Sequence, residues 1–159
     1  MLPAADIIEL LNLQLNDQEG GYYANTYPAA GVKDPPCSAI YYFLDHTRCS
    51  VMHKVTSDML YHFYTGDPVE MLLLYPEEYG TRTETCLFSN DIEQGGRPMK
   101  VIPAGTWLGA RISDGGSWAL MGVSMAPPFN PAGYFIGDRT TLIKEYPEQE
   151  KLIIELTNP

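Results

Sequence analysis

Positive charge is scarce in this chain: ten Lys and Arg stand against twenty Asp and Glu over 159 residues, a formal net charge of −10. A surface of that sign repels phosphate backbones and anionic lipid, so nucleic-acid polymers and membranes are not expected as partners. Cysteine is sparse too. Cys37, Cys49 and Cys86, at wide and unpatterned spacing, suit neither a disulfide framework nor a four-ligand zinc site, and read as buried thiols in a reducing compartment, the cytoplasm. No apolar run approaches the roughly 20 residues needed to cross a bilayer. The N-terminal stretch Met1 to Glu9 has no basic region and is interrupted by Asp6 and Glu9, unlike a secretory signal.

What is present is strand after strand. Ser50 to Pro68 contains two short alternating runs, Val51 to Val55 and Leu60 to Tyr64, joined by Thr56-Ser57-Asp58 and stopped by Gly66-Asp67-Pro68. This pattern predicts a hairpin carrying two of the three histidines, His53 and His62. The later strand Pro103 to Ile112 is expected to face it across a pocket. Ahead of these, Ala4, Ile7, Ile8, Leu11 and Leu15 recur at helical spacing and predict a helix over Pro3 to Leu15, closed by Asn16 to Gly21. Tyr22 to Tyr27 reads as a strand, and Ser38 to Leu44, rich in β-formers, as a strand covered on both faces. Val69 to Tyr75, Thr81 to Phe88, Met99 to Ile102, Thr106 to Ile112 and Ser117 to Met125 complete about eight strands. Ala126 to Gly133 breaks the pattern, and Thr140 to Tyr146 and Glu148 to Leu156 predict short closing helices. One domain, 1–159, of all-β class follows, a barrel or double-sheet sandwich with helices only at its ends.

Particular spacings narrow this. His53, Met59 and Gly66 reproduce the frame of a first cupin motif, and Pro103-x-Gly105-x-x-Leu108 that of a second. Glu19-Gly-Gly-Tyr-Tyr23, the run from Ser57 to Pro68, Pro-Ala-Gly-Thr-Trp107 and Gly137-Asp-Arg139 with the later Tyr146-Pro147 sharpen the match. Over about Asp6 to Pro147 the chain resembles the small cupin family of unknown function, cupin type 5. The resemblance implies a cupin jelly-roll β-barrel with a pocket in its mouth and a homodimeric assembly. It does not choose a chemistry, because the superfamily spans dioxygenases, isomerases, epimerases and binding domains.

In metal-binding cupins the ligands would fall at His53, Val55, Met59 and Leu108, of which only the first is an imidazole. A single histidine does not hold a metal against water, so neither a metal nor another cofactor is expected. Strand alternation then sorts the side chains. If His53 points inward, so do Val51, Val55, Met59, Tyr61 and Phe63, and on the second motif strand Thr106, Leu108, Ala110 and Ile112. Trp107, Gly109 and Arg111 look the other way, as does His62, while His46 reads as a surface turn.

The resulting cup is mostly apolar, with His53 and Tyr61 as polar handles, the composition of a small-molecule site. Ligand contacts are expected from Glu19, Val55, Met59, Phe63, Trp107, Leu108 and Arg111. The leading reading is a binding protein for a small molecule, with a sugar, sugar phosphate or nucleotide-like compound among the candidates. The alternative is a metal-independent sugar-phosphate isomerase or nucleotide-sugar epimerase, with His53 as base, Tyr61 as acid and Arg111 or Lys54 near a phosphate. Against both stands a plainer one, in which His53 is satisfied by a neighbouring carbonyl or hydroxyl and Tyr61 is core.

Overall fold

The structure is a computed structural model and describes residues 2–28 and 31–158. Alternating apolar positions build two antiparallel sheets. The first runs in the order β1 (Gln14–Leu15), β2 (Tyr22–Tyr27), β3 (Ser38–Asp45), β10 (Trp118–Met125), β5 (Met59–Gly66), β8 (Met99–Ile102). The second runs β11 (Tyr134–Ile136), β4 (Ser50–Val55), β9 (Trp107–Ile112), β6 (Val69–Leu74), β7 (Thr83–Phe88). Their facing sides enclose the main core, in which Tyr42, Leu44, Met59, Tyr61, Met71, Leu73, Leu108 and Met121 are buried. This is the jelly-roll barrel that the cupin resemblance implies, and it lies within the all-β architectures that the strand spacing allowed.

Strands that read as apolar on both sides are covered on both sides. On β6, Met71 and Leu73 enter the barrel, while Leu72 and Leu74 face outward beneath α2 (Arg139–Glu145) and α3 (Glu150–Glu155), packed on Leu142, Tyr146, Ile153 and Leu156. On β3, Tyr42 and Leu44 point inward, and Phe43 points outward under α1 (Ala4–Leu10), where it stacks on Trp118. Truncating any of these fully buried leucines to alanine costs about 2–5 kcal/mol, so the helices are structural parts of the barrel.

Three expectations need correction. β4 and β5 do not form a hairpin: β4 bonds to β9 and β11, and β5 to β10 and β8. Residues 56–58 carry the chain from one sheet to the other. Accordingly β9 is the immediate neighbour of β4, with Leu108 opposite His53, and does not face it across a pocket. Alternation fixes which face a side chain takes and says nothing of which strand lies alongside. The N-terminal helix is also shorter than Pro3 to Leu15. It stops at Leu10, Asn12 turns to φ +50°, and residues 14–15 pair with β2. Finally, β11 falls just past the segment read as a break, and pairs Tyr134, Phe135 and Ile136 with Val55, Lys54 and His53.

Candidate functional site

The loop between β1 and β2 delivers the first polar group. Asn16 shapes it: its Oδ1 accepts from the backbone N–H groups of Gln18 and Glu19 at 3.3 and 3.2 Å, and its carbonyl accepts from Gly20 N–H at 2.8 Å. Gly20 sits at φ +94° with its backbone so near the Cys49 carbonyl that a Cβ would lie 2.1 Å from that oxygen, which only glycine tolerates. The loop is fastened to β4 by Val51 N–H donating to Glu19 O at 2.8 Å, and to β3 by the Tyr42 hydroxyl donating to Gly20 O at 3.0 Å. Glu19 is thereby aimed inward and left 8% exposed.

Its carboxylate is held entirely by neutral donors. Oε1 accepts from Ser50 Oγ at 2.9 Å, and Oε2 from the Tyr134 hydroxyl at 3.2 Å and Asn16 Nδ2 at 3.5 Å. Ser50 and His53 both reach this group because β4 bulges. Ser50 pairs with Ala110 and His53 with Leu108, so three steps on β4 oppose two on β9 and two residues of opposite parity share the inner face.

The His53 imidazole is buried, 2% exposed. Nδ1 lies 2.8 Å from Val51 O, a carbonyl that only accepts, so the proton is on Nδ1. Nε2 is left toward the cavity, 3.7 Å from Glu19 Oε1. The ring lies against Tyr134, with centroids 5.7 Å apart at 30°. Tyr61 projects from β5, its ring edge-on to Phe88, and its hydroxyl makes no hydrogen bond to another described residue. Burial first, and the nearby Glu19 and Tyr134 after it, push the Tyr61 phenol well above its usual pKa. Burial and Glu19 do the same to Tyr42 and Tyr134. All three are neutral donors at physiological pH.

These groups line a cavity of about 480 Å³. Its apolar wall is Ile40, Val55, Met59, Val123, Met125 and Phe129, and the 15–18 segment and Asn25 form part of its rim. Among the described residues, Asp17 and Glu19 are the acidic members of the lining, and no Lys or Arg lines it. In size and composition this matches sites that take small organic molecules.

The structure gathers Glu19, His53, Val55, Met59 and Tyr61 around this cavity. Phe63 and Leu108 face the barrel interior but belong to its packed core and do not line the cavity. Trp107 and Arg111, expected to touch a ligand, lie elsewhere. Their parity on β9 puts Trp107 against the C-terminal helices, with Lys54 Nζ 4.5 Å above its ring. Arg111 is engaged by Glu70 at 2.8 Å, Asp114 at 3.5 Å and Glu155 at 3.6 Å. His62 takes the opposite face of β5, 3.5 Å from Ser124 Oγ, and His46 is exposed.

Sequence reasoning missed Tyr134, Ser50 and Tyr42. The Tyr-Phe-Ile run after Gly133 was the one signal for Tyr134, and no pattern foretells the bulge that turns Ser50 inward.

The donor set does not fit a divalent ion. Val55, Met59 and Leu108 occupy the positions where ligands would accompany His53. Among the described residues no three His, Cys, Asp or Glu side chains converge. Nor is any described helix long and apolar enough to cross a membrane.

Comparison with known proteins places this architecture. A family model described as "Cupin superfamily (DUF985)" matches residues 5–136. The crystal structure of protein SO0799 from Shewanella oneidensis superposes with a TM-score of 0.88 at 26% identity, covering 100% of this chain and 99% of that one. A hypothetical protein from Leishmania major gives 0.86 at 21% identity, over 99% and 100%. A cupin 2 conserved barrel domain protein from Rhodopseudomonas palustris gives 0.60 at 10% identity, over 92% and 87%. No curated protein matches this chain.

Proposed function

This chain belongs to the cupin superfamily, in the family DUF985, and from that premise we propose that it is a small-molecule-binding protein whose ligand occupies the cavity between the two sheets. The observation that carries the reading is the division of the cavity into two regions. One is an apolar wall able to desolvate an organic body. The other is a polar cluster of Glu19, His53, Tyr61 and Tyr134, preorganised by bonds to Ser50, Asn16 and the Val51 carbonyl. Fixed polar groups in an apolar cup orient a guest at little entropic cost.

The isomerase or epimerase alternative draws on the same two side chains. His53 Nε2 faces the cavity while Nδ1 is committed to the Val51 carbonyl, and the Tyr61 phenol stays protonated. It lacks the anchor a phosphorylated substrate requires, because Arg111 and Lys54 are spent on the outer face of the second sheet. Binding is therefore the reading the geometry supports better. A homodimer is part of this proposal: β8 is an open edge of the first sheet and exposes Met99 and Val101, surface that a second copy would cover. Light scattering coupled to size exclusion tests it, and a monomeric mass at tens of micromolar speaks against it.

The test of the binding reading is a thermal-shift screen against a small-molecule library, repeated on Val123→Trp, which fills the cavity. A ligand at 100 times its Kd stabilises by about 2.7 kcal/mol. The expected result is a stabilising compound whose effect disappears in the filled variant. Stabilisers that act equally on both proteins, or none at all, would sink it. For the alternative, solvent deuterium entering hexose phosphates or nucleotide sugars in a His53-dependent way is the decisive sign.

A further inference from the structure

The cavity has a sign of charge. Among the described residues, its acidic lining residues are Asp17 and Glu19, and the lining contains no Lys or Arg. Six of the chain's ten basic side chains are occupied elsewhere: Arg111 with Glu70, Lys100 with Glu84, Lys54 over the Trp107 ring, Arg82 with the Glu145 carbonyl, Arg97 with the Gly95 and Gly96 carbonyls, and Arg139 with Thr157. Glu19 is nine-tenths buried, yet its partners Ser50, Tyr134 and Asn16 bring dipoles and no opposite charge. Its one cation-capable neighbour, His53 Nε2, stands at 3.7 Å, beyond hydrogen-bond distance. A buried carboxylate without a cation is costly, and the cost is relieved by whatever positive group enters beside it.

We propose that the cavity recognises an organic cation, a primary or alkylated ammonium carried on an apolar body, with Glu19 as the counter-ion. The proposal rests on the small-molecule reading above and narrows it to a ligand class. The ammonium takes a lone pair of the Glu19 carboxylate, which has about four acceptor sites and uses three on Ser50, Tyr134 and Asn16. His53 Nε2, beside that carboxylate, is a second polar contact for the guest. Aromatic rings also line the cavity, Tyr23, Tyr42, Tyr61, Tyr134 and Phe129, and an aromatic ring attracts a desolvated cation through its π face. Ile40, Val55, Met59, Val123 and Met125 receive the body.

Anionic ligands meet the opposite situation. A phosphate or carboxylate brought to the same floor faces Glu19 at short range in a medium of low dielectric, with no guanidinium or ammonium to offset it. A neutral polyol can satisfy the hydrogen bonds but leaves the carboxylate uncompensated. Outside the cavity, the protein's charge of −10 favours the approach of a cation over that of an anion.

The experiment uses three probes that share a phenyl ring and differ in charge: 2-phenylethylamine, 2-phenylethanol and 3-phenylpropanoate. Each is titrated calorimetrically into the full chain at pH 7.5 and low salt. The amine is expected to bind at least about tenfold more tightly than the alcohol, a difference of about 1.4 kcal/mol, and the carboxylate most weakly. Glu19→Gln, which keeps an acceptor oxygen and the shape, should bring amine and alcohol to near-equal affinity, the amine losing its advantage of about tenfold. The wild-type series needs no variant, so poor folding of Glu19→Gln does not remove the test. An alcohol that binds as well as the amine, or a carboxylate that binds best, overturns the cation proposal and leaves the small-molecule reading standing. Absence of binding by all three at about 10 mM also overturns it, and the library screen then decides the broader reading separately.

Discussion

Ser50 and His53 lie three residues apart on one strand, yet both turn to Glu19 Oε1, at 2.9 Å and 3.7 Å. Regular alternation would send them to opposite faces. The bulge in β4 brings them together, and a carboxylate from a loop more than thirty residues earlier becomes the centre of the site.

Removing that centre should be felt in stability. Glu19→Ala leaves the Ser50 and Tyr134 hydroxyls without their acceptor in a buried place, and is expected to cost about 2–3 kcal/mol. Glu19→Gln retains an acceptor and should cost about 1 kcal/mol. Urea unfolding of both variants measures this, and equal losses would contradict the hydrogen-bonding account.

Glycine positions should differ sharply. Gly20→Ala forces a Cβ to 2.1 Å from the Cys49 carbonyl at a φ of +94° and should cost about 3 kcal/mol or more, or prevent folding. Gly80→Ala, at φ +72° and ψ −31° with nothing within 4 Å, meets no clash and carries only a backbone penalty of about 1–3 kcal/mol. Denaturant midpoints rank the two, and similar midpoints would mean that the 16–21 loop yields.

Alkali should weaken the fold through the cavity tyrosines. Tyr42, Tyr61 and Tyr134 have folded pKa values raised above the unfolded value of about 10, by burial first and by Glu19 after it. A raised folded value means that the stability is fully present below about pH 10 and is lost as the pH climbs toward the folded value. Unfolding free energies from pH 8 to 11.5 should therefore fall past about pH 10, more gently in Tyr61→Phe. Phenolate absorbance should lag for these rings until the chain unfolds. Identical slopes for wild type and Tyr61→Phe would show that Tyr61 is not shielded.

Chelation should change nothing. With Val55, Met59 and Leu108 where metal ligands would stand, prolonged EDTA treatment is expected to leave Tm within about 1 °C. A stoichiometric transition metal in the untreated protein, with a drop in Tm on its removal, would overturn the reading of the donor set.

Most of the strands and the inward faces of β5 and β9 were legible because alternation is a local property of consecutive residues. Met59, Tyr61 and Phe63 enter the barrel, and Trp107 and Arg111 leave it, as the period of two requires. Pairing was not legible. That β4 lies beside β9 and not β5 depends on contacts some fifty residues distant, to which a local pattern is blind. The site divides the same way. His53, Tyr61 and Glu19 stand in motifs, whereas Ser50 enters through a bulge and Tyr134 through a three-residue strand too short to announce itself.

The bond between Tyr134 and Glu19 joins positions 115 apart in sequence, one near each end of the barrel's chain. The proposed recognition surface therefore exists only while the 16–21 loop and β11 are both docked. Loosening of either end erases it, and an occupant would clamp the two together. In amide exchange, occupancy should slow the segments around residues 16–21 and 133–137 in concert, although they belong to different sheets.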